Sequence, residues 1–85
     1  MDAETRLNAA SEVFERLEIV VQREHLGGTG GGLCVVRGTR RVFLDLDTDV
    51  ATQLEVVAAA LRAVREIETV YIPPVVRELI DEYDS

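Results

Sequence analysis

Two residues that occur once each in the chain, Cys34 and His25, could together support thiol chemistry. A nucleophilic cysteine needs a neighbouring base, and imidazole commonly serves as one. The glycine-rich segment between them, residues 27–32, could bring the ring to the thiol. Cys34 lies in an apolar run, however, where a free cysteine ordinarily packs as a small hydrophobic residue. Cys34 and His25 are therefore weak candidates for catalysis, and we expect no catalytic site.

The same glycine-rich segment could bind an anion, because successive backbone N–H groups can surround one. It holds five of the six glycines of the protein. A dinucleotide fingerprint beginning at Gly28 would need glycine where Leu33 stands, and the segment precedes a predicted strand instead of a helix. Binding of an anion or small ligand therefore remains an alternative function. Its candidate residues are Gly28, Gly30, Gly31 and Arg37, with Arg23 and His25 as further cationic or polar groups.

Three aspartates alternate along the chain after an apolar segment: Asp45, Asp47 and Asp49. An EF-hand calcium loop begins in this way, but it would also need glycine at Val50 and glutamate at Val56. Aspartate is a good N-cap, and its charge suits the positive end of the helix dipole. We expect capping of the next helix and a solvated acidic turn, with a weak divalent-ion site as the alternative, and we predict no metal site.

Composition excludes several classes of function. All nine basic residues are arginine, and with sixteen acidic residues the formal charge is −7. Without lysine there is no side-chain amine for Schiff-base catalysis, for a lysine general base or for a Walker A loop. The negative charge argues against sequence-independent nucleic-acid binding. No apolar run approaches the roughly 20 residues that span a bilayer, and a lone cysteine suits a reducing compartment. We expect a cytoplasmic protein with no cofactor, no nucleic-acid partner and no membrane partner.

The length of 85 residues allows a single domain, residues 1–85. Apolar residues at alternating spacings of four and three predict amphipathic helices. Short β-branched segments predict strands, and a proline pair marks the opening of the last helix. The predicted elements are a helix over 3–17, a strand at 19–21, strands at 33–37 and 40–46, a helix over about 50–67, an extended piece at 70–72 and a helix from Pro74.

The two middle strands should form a hairpin, because Gly38-Thr39 is a Gly-X pair typical of a type II′ turn. In that register Val35 faces Val42 and Leu33 faces Leu44, while Cys34 faces Phe43 on the other side. One face should pack on the helices, namely Leu33, Val35, Val42, Leu44 and Leu46. The opposite face is of mixed polarity and consists of Cys34, Val36, Phe43, Arg41 and Asp45.

Three arginines surround the predicted turn: Arg37, Arg40 and Arg41. They form a basic point on an acidic chain, which could bind an acidic partner surface or a phosphate. The simpler alternative is a solvated tip that keeps the hairpin from pairing with other strands.

Two apolar surfaces exceed what one small core needs. The second helix has an apolar arc wider than one sheet face would cover, and the mixed outer face of the hairpin usually has something packed on it. We therefore predict a homodimer or a subunit of a protein complex. The predicted interface residues are Cys34, Val36, Phe43, Val56, Ala60 and Ala63.

These elements predict an α+β fold in the order α-β-β-β-α-α, with a three-stranded antiparallel meander and the helices packed on one face. Two segments also resemble a group of small uncharacterised bacterial proteins: residues 31–38, with a Gly-Gly-x-Cys hairpin, and residues 71–79, with Pro-Pro-x-x-Arg-Glu-Leu. The resemblance spans most of residues 18–80. It implies the same domain limits and a bacterial, cytosolic protein.

More distantly, the order helix, strand, hairpin, helix resembles the front half of small zinc-peptidase-like domains. Their second helix carries His-Glu-x-x-His, whereas here residues 53–57 read Gln-Leu-Glu-Val-Val. The resemblance implies a similar element order, and because the ligand residues are missing here we expect no active zinc site. Taken together, the leading hypothesis is a non-enzymatic interaction module that self-associates. The alternatives are a small-ligand or anion-binding protein that uses the glycine-rich segment and a thiol enzyme centred on Cys34.

Overall fold

The computed structural model describes residues 2–83, and their element order follows the predicted one. The helices and strands are α1 (Ala3–Arg16), β1 (Val20–Glu24), β2 (Gly31–Val36), β3 (Thr39–Asp45), α2 (Val50–Ala63) and α3 (Pro74–Glu82), with a 3-10 turn (Ile67–Thr69) before α3. Within residues 2–83 the fold is thus α+β, with three α-helices and one three-stranded sheet.

Side chains fix where the helices begin. Asp2 caps α1 by accepting the backbone N–H of Thr5 at 2.8 Å, and Asp49 caps α2 by accepting that of Thr52 at 2.8 Å. The second helix ends at Ala63, earlier than its apolar spacing predicts. Val64 there has an extended backbone, and its side chain is buried in the core.

The sheet corrects the predicted topology. Its strand order is β1-β3-β2, with β1 parallel to β3 and β2 antiparallel to β3, so it is a mixed sheet and not an antiparallel meander. The central position goes to the longest and most buried strand. Val42 and Leu44 of β3 are fully buried, whereas a meander would place β2, with its two glycines, at the centre. Glycine packs no side chain and weakens a strand interior.

The hairpin register also differs from the predicted one. Val36 pairs with Thr39 and Leu33 pairs with Val42, so each β2 residue lies two positions away from its predicted partner. The turn residues are Arg37 and Gly38, with φ of 52° and 80°. Positive φ at both positions is the type I′ geometry, which matches strand twist and which glycine adopts without strain. A shift of two preserves which residues share a face.

One face of the sheet packs on the helices and the other is open. The core joins Val42 and Leu44 to helix residues that include Leu7, Phe14, Leu61 and Leu79. Two residues predicted for this packed face are exposed instead: Val35 at 65% and Leu46 at 41%. Val35 lies near the hairpin tip, and Leu46 follows the end of β3. Within residues 2–83, no helix has the length and apolar character needed to cross a membrane.

Candidate functional site

The loop of residues 25–30, called the glycine loop below, crosses the carboxyl end of β3 to join the two edge strands. Asp45, the last residue of β3, is fully buried beneath it. Its carboxylate accepts the backbone N–H of Leu26 at 2.9 Å and that of Gly30 at 3.1 Å, as well as that of Asp47 at 2.9 Å. One aspartate therefore holds both ends of the loop.

Two opposing effects act on the pKa of Asp45. Burial raises the pKa, because it penalises the charged form, while the N–H groups of Leu26, Asp47, Gly30 and Gly28 lower it by stabilising the carboxylate. The hydrogen bonds prevail, and the pKa lies below the ordinary value of 3.8. Asp45 is therefore a permanent internal anion at neutral pH.

Asp47 holds the loop from outside. Its carboxylate contacts His25 Nδ1 at 2.9 Å and accepts the N–H of Gly27 at 2.7 Å. The hydrogen bond from His25, followed by the one from Gly27, lowers the pKa of Asp47. The acidic turn predicted as solvated is thus a structural anchor at Asp45 and Asp47, and helix capping is confirmed at Asp49.

This arrangement bears directly on the anion-binding alternative. The glycine loop does surround an anion with its backbone N–H groups, but the anion is the protein's own Asp45 carboxylate. The two arginines that were candidates for binding an anion are not part of the glycine loop. Arg23 reaches Glu4 and Asn8 of α1 at 3.4 Å, and Arg37 lies at the far end of β2, about 20 Å away at about 3.3 Å per residue.

Cys34 is exposed, and Phe43 is not the residue directly opposite it. Its cross-strand neighbour is Arg41, since the hairpin register differs from the predicted one. His25 hydrogen-bonds to Asp47, and among residues 2–83 no hydrogen bond joins it to Cys34. The described residues also contain no cluster of three or more His, Cys, Asp or Glu side chains that could hold a metal ion.

The arginines near the turn do not act as one basic cluster. Arg40 donates to Glu66 Oε1 at 2.9 Å and to the carbonyl of Leu17, also at 2.9 Å. Arg41 donates to Gln22 Oε1 at 2.7 Å. Arg37 is exposed and has no hydrogen bond or ion pair with any other side chain in the described part of the chain. Of these three arginines, Arg37 at the hairpin tip is therefore the one without a side-chain partner among the described residues.

The outer edge of β2 is uncovered. Within residues 2–83 its only strand partner is β3, on the inner side. In a two-residue hairpin the residues that flank the turn, here Val36 and Thr39, exchange both hydrogen bonds. Hydrogen-bonded pairs then alternate along the strands, so Val36 and Cys34 direct their backbone groups to β3. The alternate residues, Leu33 and Val35, direct their N–H and C=O groups outward. These groups form a template for another strand.

The two edges of the sheet differ in how they are protected. Edge strands are normally guarded by charges, prolines or bulges. The β1 edge carries Arg23 and Glu24, whereas the β2 sequence Gly-Gly-Leu-Cys-Val-Val has no charge and no proline. Of the two, the β2 edge is the one open to pairing.

Two apolar depressions flank this edge, one on each side of the sheet. The first, about 410 Å³ and called the open-face depression, is lined by Leu26, Gly31, Gly32, Leu33, Cys34 and Phe43. The second, about 240 Å³ and called the helix-side depression, is lined by Gly31, Gly32, Leu33, Val56, Ala59, Ala60 and Ala63. Five of the six predicted interface residues line one or the other, and the sixth, Val36, is 39% exposed on the same strand.

Sequence reasoning missed the residues that join these two surfaces. Leu33 and Gly32 border both depressions, yet the sequence predicted Leu33 only for the packed face and Gly32 only as part of the glycine-rich segment. The absence of charge from residues 31–36, next to a charged first strand, is the signal that could have identified the edge. The role of Asp45 has no comparable signal, because it depends on which loop crosses the end of β3.

Comparison of the chain with models of known protein families, with curated proteins and with solved structures found no match in any of the three.

Proposed function

We propose that this chain is a non-catalytic protein-interaction module that self-associates through the outer edge of β2. The observation that carries the proposal is the uncovered, uncharged edge with an apolar depression on either side. An added strand would satisfy the outward N–H and C=O groups of Leu33 and Val35, and its side chains would enter the depressions alternately.

The glycine loop supports this role as a rigid boundary. Asp45 and Asp47 fix the loop at one end of β2, and Leu26 from that loop forms a wall of the open-face depression. A binding edge with fixed walls loses less conformational entropy on association than a mobile one. A bacterial, cytosolic setting, as the resemblance of residues 31–38 and 71–79 implies, is part of the proposal.

Replacing Val35 by proline tests the edge. Proline removes the outward N–H, which the β3 ladder does not use, and edge strands accept proline where that group faces solvent. A two-fold dimer loses two N–H donors, so we expect the dissociation constant to rise at least about tenfold. Val35→Thr is the matched control, because it keeps the N–H and the branched shape.

The measurement is solution mass by size exclusion with light scattering over about a hundredfold concentration range. Circular dichroism should give the same helix content for the two variants and the parent chain. The expected result is a dimer for the parent chain and for Val35→Thr, and a monomer for Val35→Pro. A parent chain that is monomeric throughout, or a Val35→Pro variant that dimerises equally well, would overturn the proposal.

A further inference from the structure

We infer that the occupant of the β2 edge is β2 of a second copy, paired antiparallel about a two-fold axis that passes between the two Cys34 residues. This inference rests on the proposed function and adds the strand that pairs, its register and its contacts. Three features of β2 point to a second copy: its hydrogen-bonding positions, its exposed valines and the charge at each of its ends.

The hydrogen-bonding positions favour one register. Antiparallel strands exchange hydrogen bonds only where both turn their backbone groups toward each other. On β2, apart from its two glycines, the residues that turn their backbone N–H and C=O groups outward are Leu33 and Val35. A two-fold axis at Cys34 places Leu33 of each copy opposite Val35 of the other, so both outward residues are used in both copies. An axis at Leu33 or at Val35 would leave half of these groups without a regular partner.

The side chains fit the same register. Val35 is 65% exposed and lies on the helix side of the sheet. Opposite Leu33 of the second copy, it adjoins the helix-side depression bordered by Val56 and Ala60. The small side chains along this part of α2 leave room for a branched side chain to enter.

Val36 completes the fit on the other side of the sheet. In this register it lies opposite Gly32 of the second copy, within the open-face depression beside Phe43. The space over Gly32 is empty, because a Cβ built there meets no atom within 4 Å. The tip half of each strand thus carries two exposed valines, and the base half carries the two depressions that accept them.

Charge provides the third argument. Arg37, uncommitted among the described residues, stands at the tip of the strand, and at its base the Asp45 carboxylate accepts the N–H of Gly30, the residue before the strand begins. Antiparallel pairing brings Arg37 of each copy opposite Gly31 of the other, next to the end of the glycine loop that Asp45 holds. Each basic tip therefore meets an acidic base, and two acidic chains can associate at this edge.

The native cysteine tests the register directly. Directly opposed residues that are not hydrogen-bonded have Cα atoms about 4.5 Å apart in antiparallel strands, within the range of about 4.4–6.8 Å that a disulfide spans. Treating the purified chain with diamide, which takes up the two electrons and two protons released by two thiols, should yield a Cys34–Cys34 linked dimer on a non-reducing gel.

Two variants serve as controls for chance collisions. Cys34→Ser combined with Val36→Cys moves the thiol two residues along the same exposed face, where its opposite residue is Gly32. Val35→Pro keeps Cys34 and removes the pairing. We expect the linked fraction to fall at least about tenfold in both.

The outcomes separate the inference from the proposed function. Fast linking of the parent chain together with slow linking of both controls supports the inference. A dimer that Val35→Pro disrupts but that links through Cys introduced at position 33 or 35, and not through Cys34, overturns the register while the interaction module stands. A parent chain that stays monomeric and does not link overturns both.

Discussion

At the residue scale, the hydrogen bonds of the Asp45 carboxylate hold the glycine loop in place. A single carboxylate, fully buried at the end of β3, accepts N–H groups from both ends of the loop that crosses it. Buried N–H groups without a partner are costly. The carboxylate allows a glycine-rich segment to adopt one conformation without packing side chains of its own.

Replacing Asp45 by Asn should alter how stability depends on pH. Since the folded pKa of Asp45 lies below the value of 3.8 for the free side chain, its contribution is complete above about pH 4 and is lost as the pH falls through the folded pKa. The parent chain should therefore lose stability as the solution is acidified below about pH 4.

The variant should be less stable at pH 7 and should show a shallower decline in acid, because an amide has no charge to lose. Urea unfolding at several pH values measures both effects. Asp81→Asn, at an exposed position on α3, is the control. Equal acid sensitivity of the Asp45→Asn variant and the parent chain would contradict the role given to this carboxylate.

Gly31 is sterically required where it stands. Its φ is +79°, and a Cβ at this position would lie 2.0 Å from the carbonyl oxygen of Phe43. Gly31→Ala should therefore displace the start of β2 from β3 and lower stability by about 1–3 kcal/mol. Thermal unfolding measures this loss. Gly28→Ala, also at positive φ but with open space around it, should cost less.

At the scale of elements, the joint between α1 and β1 stores a small amount of strain. Leu17 ends the helix, and Glu18 follows with φ of 60° so that the chain can turn directly into the sheet. The left-handed conformation after a helix is normally taken by glycine.

Glu18→Gly should raise the free energy of unfolding by about 0.5–1 kcal/mol, because it removes the left-handed penalty of an L-residue at this position. Glu15→Gly, inside the same helix, should lower it by about 1 kcal/mol. Urea unfolding at neutral pH compares the two. A stability loss in both variants would indicate that the side chain of Glu18 matters more than its backbone conformation.

At the scale of the whole molecule, the described part of the fold leaves the uncharged β2 edge without a second strand partner. The helices cover one face of the sheet, the charged β1 strand forms one edge, and the uncharged β2 strand forms the other. In a two-fold dimer the two sheets would join into one of six strands, with both helical layers on the same side.

Self-association of this kind couples dimerisation to folding. The melting temperature of the parent chain should rise with protein concentration, because binding to the folded state stabilises it. Over about a hundredfold increase we expect a shift of at least about 5 °C. Val35→Pro should melt at the same temperature across the range. Scanning calorimetry tests both, and a parent melting temperature independent of concentration would contradict coupled dimerisation.

The sequence by itself determined the local elements. Apolar spacing placed α1 and α3, and Asp49 was among the predicted caps of α2. The hairpin strands predicted at 33–37 and 40–46 correspond to β2 and β3, with bounds that differ by one or two residues. Each of these depends on interactions within a few residues, such as side-chain periodicity, capping and turn formation, and these are visible in a single stretch of chain.

Tertiary structure alone decided how these elements combine. In the sheet order β1-β3-β2, the central strand is the one that is buried on one face and paired on both sides. Which strand takes this place depends on segments that are far apart in the sequence. The two-residue shift of the hairpin follows from the choice between turns at 37–38 and 38–39, which leave the same residues on each face. Once β3 is central, the glycine loop must cross its end, Asp45 is buried beneath it, and β2 becomes an edge. The candidate site exists because of that long-range choice, so its residues were visible in the sequence while their arrangement was not.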